Sequence, residues 1–227
     1  MATGTLDQMY AQAKTDSRNN PAVIADALTH AILHGLIPAG APLRQSELAS
    51  GFGVSQTPVR EALKLVCDTG LARAEPNRGV AVRDLSAGEA REITDLRVLL
   101  ECDALARAIP NYTQTDLSNL AQINRKLSRA RRIDNIVELN TAFHSALYAP
   151  SERQTTLAII DNLRIRFERY LRFVWKTSDH LEHSNAEHTA IMDHAVKRQR
   201  DKACVLLAAH IEATGDVIAK RLSQQES

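Results

Sequence analysis

From Ser86 to the carboxyl end, apolar residues recur three and four positions apart in one segment after another, and that regularity dictates most of what this chain can fold into. A segment with helical spacing buries one stripe and needs other stripes to cover it. Six such segments follow one another, over 87–108, 114–131, 133–148, 153–176, 185–198 and 201–222. Pro110 and Pro150 stop the first and the third. Ser86 with Glu89, and Ser184 with Glu187, have capping-box spacing and predict where the first and the fifth begin. The links are short and polar, so the expectation is an antiparallel all-α six-helix bundle.

The amino-terminal part reads differently. Asn20-Pro21 is a helix start, Val23, Ile24, Ala27, Leu28, Ala31 and Ile32 repeat at helical spacing, and Gly35 closes the segment. LIPAGAPL is a turn, and two short helices follow near 45–52 and 56–69. LARAEPNRGVAVRDL then predicts two brief strands around a Pro-Asn-Arg-Gly turn, the one convincing β signal. Helix, turn, two short helices and hairpin is the order of a winged helix-turn-helix. The chain is therefore expected to be mainly α: a loose arm over 1–19, a winged helix-turn-helix over 20–85, and a helical domain over 86–227.

The helix from Gln56 carries the chemistry expected of a groove reader. Ser55 is placed to cap it, Pro58 is tolerated in the first turn, and Val59, Leu63 and Val66 form the buried side. Gln56, Thr57 and Arg60 then point outward at the positive end of the helix dipole, where base edges and phosphates can be met. Arg78 before Gly79 stands at the hairpin tip, within reach of a minor groove. Between Arg44 and Arg83 six basic residues face four acidic ones, and the whole chain carries only +1, so charge alone does not make the case. The ordered set does, because helix start, arginine and wing tip all fall where one docking geometry needs them.

Composition narrows the setting. Cys67, Cys102 and Cys204 are odd in number and form no CxxC pair, which speaks against a disulfide framework or a cysteine zinc module. No apolar run approaches the roughly 20 residues needed to span a bilayer, and the first residues lack the apolar core of a secretory signal. A cytoplasmic protein with no membrane partner is the expectation.

The helical domain turns several polar residues inward. Ile136, Asn140, Phe143, His144 and Leu147 share one helix face, which stacks Asn140 and His144 one turn apart. The same spacing puts His188 beside Ile191, Met192 and Ala195, and His210 among Ala203, Leu206, Leu207, Ala213 and Val217. One inward histidine is more often a satisfied core residue than a ligand; three, joined by an amide at i and i+4, make convergence the better reading. His30, His34, His180, His183 and His194 are given structural or solvent roles, with His180 and His183 in a loop. Arg97 shares a face with Ile93, Leu100 and Ala104, and Arg164 one with Leu157, Ile160, Phe167 and Leu171. A guanidinium there needs an anion, either a bound ligand or an acid on a neighbouring helix. Arg125, Arg129 and Arg132 read as a solvated stripe. No inward acid is expected beside the histidines.

APLRQSELASGFGVSQTPVREALKLVCDTGLARAEPNRGVAVRDLS resembles the DNA-binding domain of GntR-type bacterial transcriptional regulators, in the leucine-arginine start, the TPVREAL helix and the NRG wing. The likeness covers about 21–86 and implies DNA contacts from Arg44, Thr57, Arg60, Arg78 and Gly79, with Gln56 standing where the family commonly has Arg. Gln favours adenine where Arg favours guanine. Residues 87–222 resemble the FCD effector domain of the FadR-like branch, and six helices look closer to its VanR-like subgroup. That resemblance implies a divalent metal, zinc first with nickel or manganese as alternatives, held by Asn140, His144, His188 and His210, and a small carboxylate effector met by Arg97. Many relatives have Asp at position 140. The resulting expectation is not an enzyme but a homodimeric, ligand-responsive repressor on a short inverted repeat of double-stranded DNA. Two other readings stay open: a metal-dependent hydrolase or lyase, and a regulator whose metal is purely structural.

Overall fold

The computed structural model describes residues 19–76, 79–175 and 180–224. The expected arm up to residue 18 and the wing-tip Arg78 lie outside the described residues. The chain divides into two compact units, Met1–Leu85 and Ser86–Ser227.

In the first unit α1 (Pro21–Leu33) opens on Asn20, whose side chain accepts from the Ala22 amide while Pro21 takes the first turn, where no partner for its nitrogen is needed. Helices α2 (Gln45–Phe52) and α3 (Gln56–Asp68) follow, then the antiparallel hairpin β1 (Ala72–Glu75) and β2 (Gly79–Val82), in register from Ala72 opposite Val82 to Glu75 opposite Gly79. Gly79 has φ +87° and a Cβ there would touch nothing within 4 Å, so glycine is required by the backbone rather than by space. Ile24, Leu28, Val59, Leu63, Val66, Leu71 and Val82 fill the core. The segment read as a plain turn does more: Pro42 bridges to Ala81, and the Leu43 amide donates to the Val80 carbonyl at 2.7 Å, extending the hairpin by a third short edge. Its two prolines hide the pairing from a period-two reading.

The second unit holds six α-helices among the described residues: α4 (Ala87–Ala108), α5 (Gln114–Arg129), α6 (Ile133–Tyr148), α7 (Gln154–Trp175), α8 (His180–Val196) and α9 (Arg200–Ser223). Pro110 and Pro150 sit in short 3₁₀ turns that end α4 and α6. Helices α4 and α9 approach closely. A Cβ on Gly215 would lie 2.3 Å from Thr94 Oγ1, and farther along the same pair the Cys102 and Cys204 thiols each donate to the other's carbonyl. The common core runs through Leu105, Ile109, Leu120, Leu127, Phe143, Leu147, Ile160, Ile191 and Leu207.

Two capping expectations change. The Ser86 hydroxyl accepts from the Glu89 amide, but the Glu89 carboxylate reaches across to Arg166 and to the Tyr170 hydroxyl, and it is Tyr170 that receives the Ser86 amide. Ser184 starts nothing: α8 is helical from His180, which also brings His180 and His183 into the helix instead of a loop. The complete capping box is at Thr113 and Asp116, opening α5. No helix among the described residues is long and apolar enough to cross a membrane.

Candidate metal centre

Helices α6, α8 and α9 each bring one histidine to the same point. His144 and His188 are 1% exposed and His210 6%, and one ligand nitrogen from each lies within 4.8 Å of the other two. His188 Nε2 and His210 Nε2 stand 3.2 Å apart. Two imidazoles on a tetrahedral zinc with bonds of about 2.0–2.1 Å would sit about 3.3 Å apart, so this spacing fits a shared cation.

Two of the rings have outer partners that orient them. His210 Nδ1 is 2.6 Å from Glu187 Oε2; a carboxylate only accepts, so Nδ1 donates to it, the arrangement that leaves Nε2 to present its lone pair when a metal is bound. His144 Nδ1 is 2.9 Å from the Tyr148 hydroxyl, which donates to Glu101 Oε2 at 2.6 Å. His188 Nδ1 is buried and has no hydrogen-bond partner among the described residues. Burial, with Arg164 and the other imidazoles adding to it, holds His144 well below the usual histidine range. Burial, then His210 and Arg164, does the same to His188. Both rings are therefore neutral at physiological pH, the state a metal requires.

The surroundings are charged and buried. Arg97 Nε meets Glu101 Oε1 at 2.6 Å, and its guanidinium lies 4.5 Å over the Phe167 ring. Burial alone would raise the Glu101 carboxyl, but Arg97, Arg164 and the hydrogen bonds from Tyr148 and Arg97 outweigh it and hold the group below its ordinary value. Burial and the Glu101 charge push Tyr148 far up, so its hydroxyl keeps its proton. Arg164 is buried on neutral partners, donating to Ser145 Oγ at 3.1 Å and to the Asn140 carbonyl at 3.3 Å.

The residues expected at the metal thus fall together as far as the three histidines go. Asn140 is buried one turn before His144 on the same face, and its carbonyl is engaged by Arg164. Arg97 is paired with an acid of its own helix, not of a neighbour. The expectation of no inward acid is overturned: Glu101 and Glu187 both bond within the cluster. Glu101 lies four residues after Arg97 and Tyr148 four after His144, spacings that put each pair on one face, and Glu187 adjoins His188.

In the other unit, Gln56, Thr57 and Arg60 are exposed at the start of α3. Ser55 stands at the N-cap in extended conformation, but its side chain makes no capping hydrogen bond, so its hydroxyl is left outward. Arg44 is exposed and bonded to Glu47 at 2.8 Å, and Arg60 lies 3.6 Å from Glu61. Gly79 opens β2 with a positive φ.

Comparison with known proteins places both units. The bacterial regulatory protein gntR family matches residues 22–82, and the FCD domain matches residues 92–213. The HTH-type transcriptional repressor RspR of Escherichia coli is 28% identical over 204 residues, covering 86% of this chain and 87% of that protein. The structure of E. coli McbR/YncC has a TM-score of 0.76 at 24% identity, over 88% of this chain and 96% of that one. The metal-free FCD domain of TM0439 has a TM-score of 0.52 at 13% identity, over 62% of this chain and 99% of that one.

Proposed function

Since the chain belongs to the GntR family of bacterial regulatory proteins and carries an FCD domain, and is thereby a transcriptional regulator, we propose that it represses transcription in response to a small carboxylate. The observation that carries this reading is the convergence of three buried histidines beside two buried arginines, of which Arg97 is bonded to the Glu101 carboxylate and Arg164 only to a hydroxyl and a backbone carbonyl. His144, His188 and His210, with Asn140 as a fourth donor, would hold a zinc-class cation, which supplies a Lewis-acidic point for an anionic oxygen. Arg97 and Arg164 would orient that anion. The site without ligand has more buried positive than negative charge, so a carboxylate is favoured over a neutral metabolite.

Arg44, Ser55, Gln56, Thr57, Arg60, Arg78 and Gly79 would meet the operator, one set from each protomer of a homodimer on an inverted repeat. The ligand's unequal affinity for the two arrangements of the dimer would supply the switch. Turnover is disfavoured because Glu101 and Glu187 are both engaged in orienting other groups, leaving neither as a ready general base.

The test combines metal content of the purified protein, a thermal-shift screen of small mono- and dicarboxylic acids, and fluorescence anisotropy on a duplex selected from a random library by the protein itself. Acids that raise the melting temperature should lower affinity for the duplex. If they stabilise the protein and leave the anisotropy curve in place, the sensing role is lost.

A further inference from the structure

We infer that Tyr148 is a positioning residue that holds His144 in its metal-ligating tautomer and ties it, through Glu101, to Arg97. The inference rests on His144, His188 and His210 being metal ligands. Its ground is an unbroken chain of bonds: His144 Nδ1 to Tyr148 Oη at 2.9 Å, Tyr148 Oη to Glu101 Oε2 at 2.6 Å, and Glu101 Oε1 to Arg97 Nε at 2.6 Å.

Proton accounting gives the chain a direction. Tyr148 has one hydrogen to donate. Were it given to His144, the hydroxyl oxygen would face an ionised carboxylate oxygen at 2.6 Å with no proton between them, a repulsion that burial leaves unscreened. The hydrogen therefore goes to Glu101, and the tyrosine oxygen accepts from His144. That leaves Nδ1 protonated and the Nε2 lone pair free, as Glu187 does for His210. The two supports differ in kind. Glu187 acts directly from a partly exposed position, whereas Glu101 acts through a phenol and is fully buried.

Glu101 also divides its two oxygens between the arginine assigned to the anion and the tyrosine behind the metal ligand. A ligand that draws Arg97 away leaves more charge on the Tyr148 side, which makes His144 the stronger donor to metal. By linkage, metal held at His144 makes Glu101 a different partner for Arg97. Tyr148→Phe should cut this connection while leaving the three imidazoles and the Arg97–Glu101 pair in place.

The test is titration of Co(II) into the metal-stripped full-length protein, followed by visible d–d absorption, with thermal unfolding of each metal-free form alongside. Tyr148→Phe should weaken Co(II) binding by about ten- to a hundredfold, the loss typical of an outer partner of a metal ligand, while the absorption band keeps its shape. His144→Ala, which removes a ligand, should change the band or abolish it. If Tyr148→Phe lowers the melting temperature but leaves Co(II) affinity at the wild-type value while His144→Ala loses binding, the tyrosine is merely structural and the inference is overturned. If His144→Ala binds Co(II) as wild type does, the metal reading itself falls. Should Tyr148→Phe not fold, Glu101→Asp keeps the charge but shortens its reach to Tyr148; it should show the same weakening, and unchanged Co(II) affinity there overturns the inference.

Discussion

Replacing Glu101 by Gln tests the charge arrangement of the site at its most buried atom. The carboxylate has no exposed surface and accepts from Arg97 Nε and Tyr148 Oη, both at 2.6 Å. Removing one partner of a buried ion pair typically costs about 3–5 kcal/mol, because the other charge stays buried without compensation. Gln keeps the shape and one accepting oxygen, so the expected loss at neutral pH is near the lower end, about 3 kcal/mol, a large share of a stability of roughly 5–15 kcal/mol. The sign of the pH dependence follows from the direction of the shift. Glu101 is held below its ordinary value in the folded chain, so its contribution is present above the unfolded carboxylate pKa and fades as pH falls through the folded one. Urea denaturation of the metal-stripped protein from pH 7 to pH 3.5 should show a large gap between wild type and Glu101→Gln at neutral pH, narrowing at the acid end. The buried histidines destabilise both proteins as pH drops below the ordinary histidine pKa, since they stay neutral when folded and take up protons only when unfolded. Equal stabilities at pH 7, or a gap that widens on acidification, would refute the ionised-carboxylate account.

Gly215→Ala should destabilise the helical unit by about 1–2 kcal/mol in thermal or urea unfolding: alanine's helical advantage is about 1 kcal/mol, but overpacking typically costs about 1–3 kcal/mol and the new Cβ would stand 2.3 Å from Thr94 Oγ1 and 2.9 Å from its Cβ. Adding Thr94→Ala should recover more than half of that loss. Arg60→Ala should weaken binding to the selected duplex by about five- to a hundredfold in anisotropy titrations and leave metal content unchanged, since α3 belongs to the other compact unit.

Much of the fold was legible because its punctuation is strong. Pro110 and Pro150 end α4 and α6 where a missing amide hydrogen must end them, and Asn20-Pro21 opens α1. The Ser184–Glu187 spacing misled because a serine followed three residues later by a glutamate is a capping box only if the chain before it is non-helical. Helix α8 begins earlier, and Glu187 serves His210 from another helix, a partner 23 residues away that local spacing does not reveal. The close approach at Gly215 was equally hidden, because periodicity tells which stripe of a helix is buried but not which stripe it meets. The histidines could be found because an imidazole on an apolar face is conspicuous. Tyr148 and Glu101 could not be so readily singled out, since a tyrosine at the end of an amphipathic helix passes as packing and an acid four residues after an arginine passes as a surface pair.

On the proposed reading, that same pairing changes what the two arginines are worth to a ligand. Arg97 already has a carboxylate at 2.6 Å and an aromatic face beneath it, so an incoming anion must compete with Glu101 for its guanidinium. Among the described residues Arg164 has a hydroxyl and a carbonyl on its terminal nitrogens, at 3.1 and 3.3 Å, weaker bonds than a carboxylate would make. The larger gain on binding is therefore at Arg164, although Arg97 is the one that family resemblance singles out. The Asn140 carbonyl that Arg164 engages belongs to the turn before His144, so an anion drawing Arg164 toward itself acts on the same helix that carries a metal ligand. With Asn rather than Asp at 140, no carboxylate from that position offsets the cation, and the ligand must supply the missing negative charge. Metal and carboxylate should then bind with positive cooperativity, each raising the affinity of the other by the same factor.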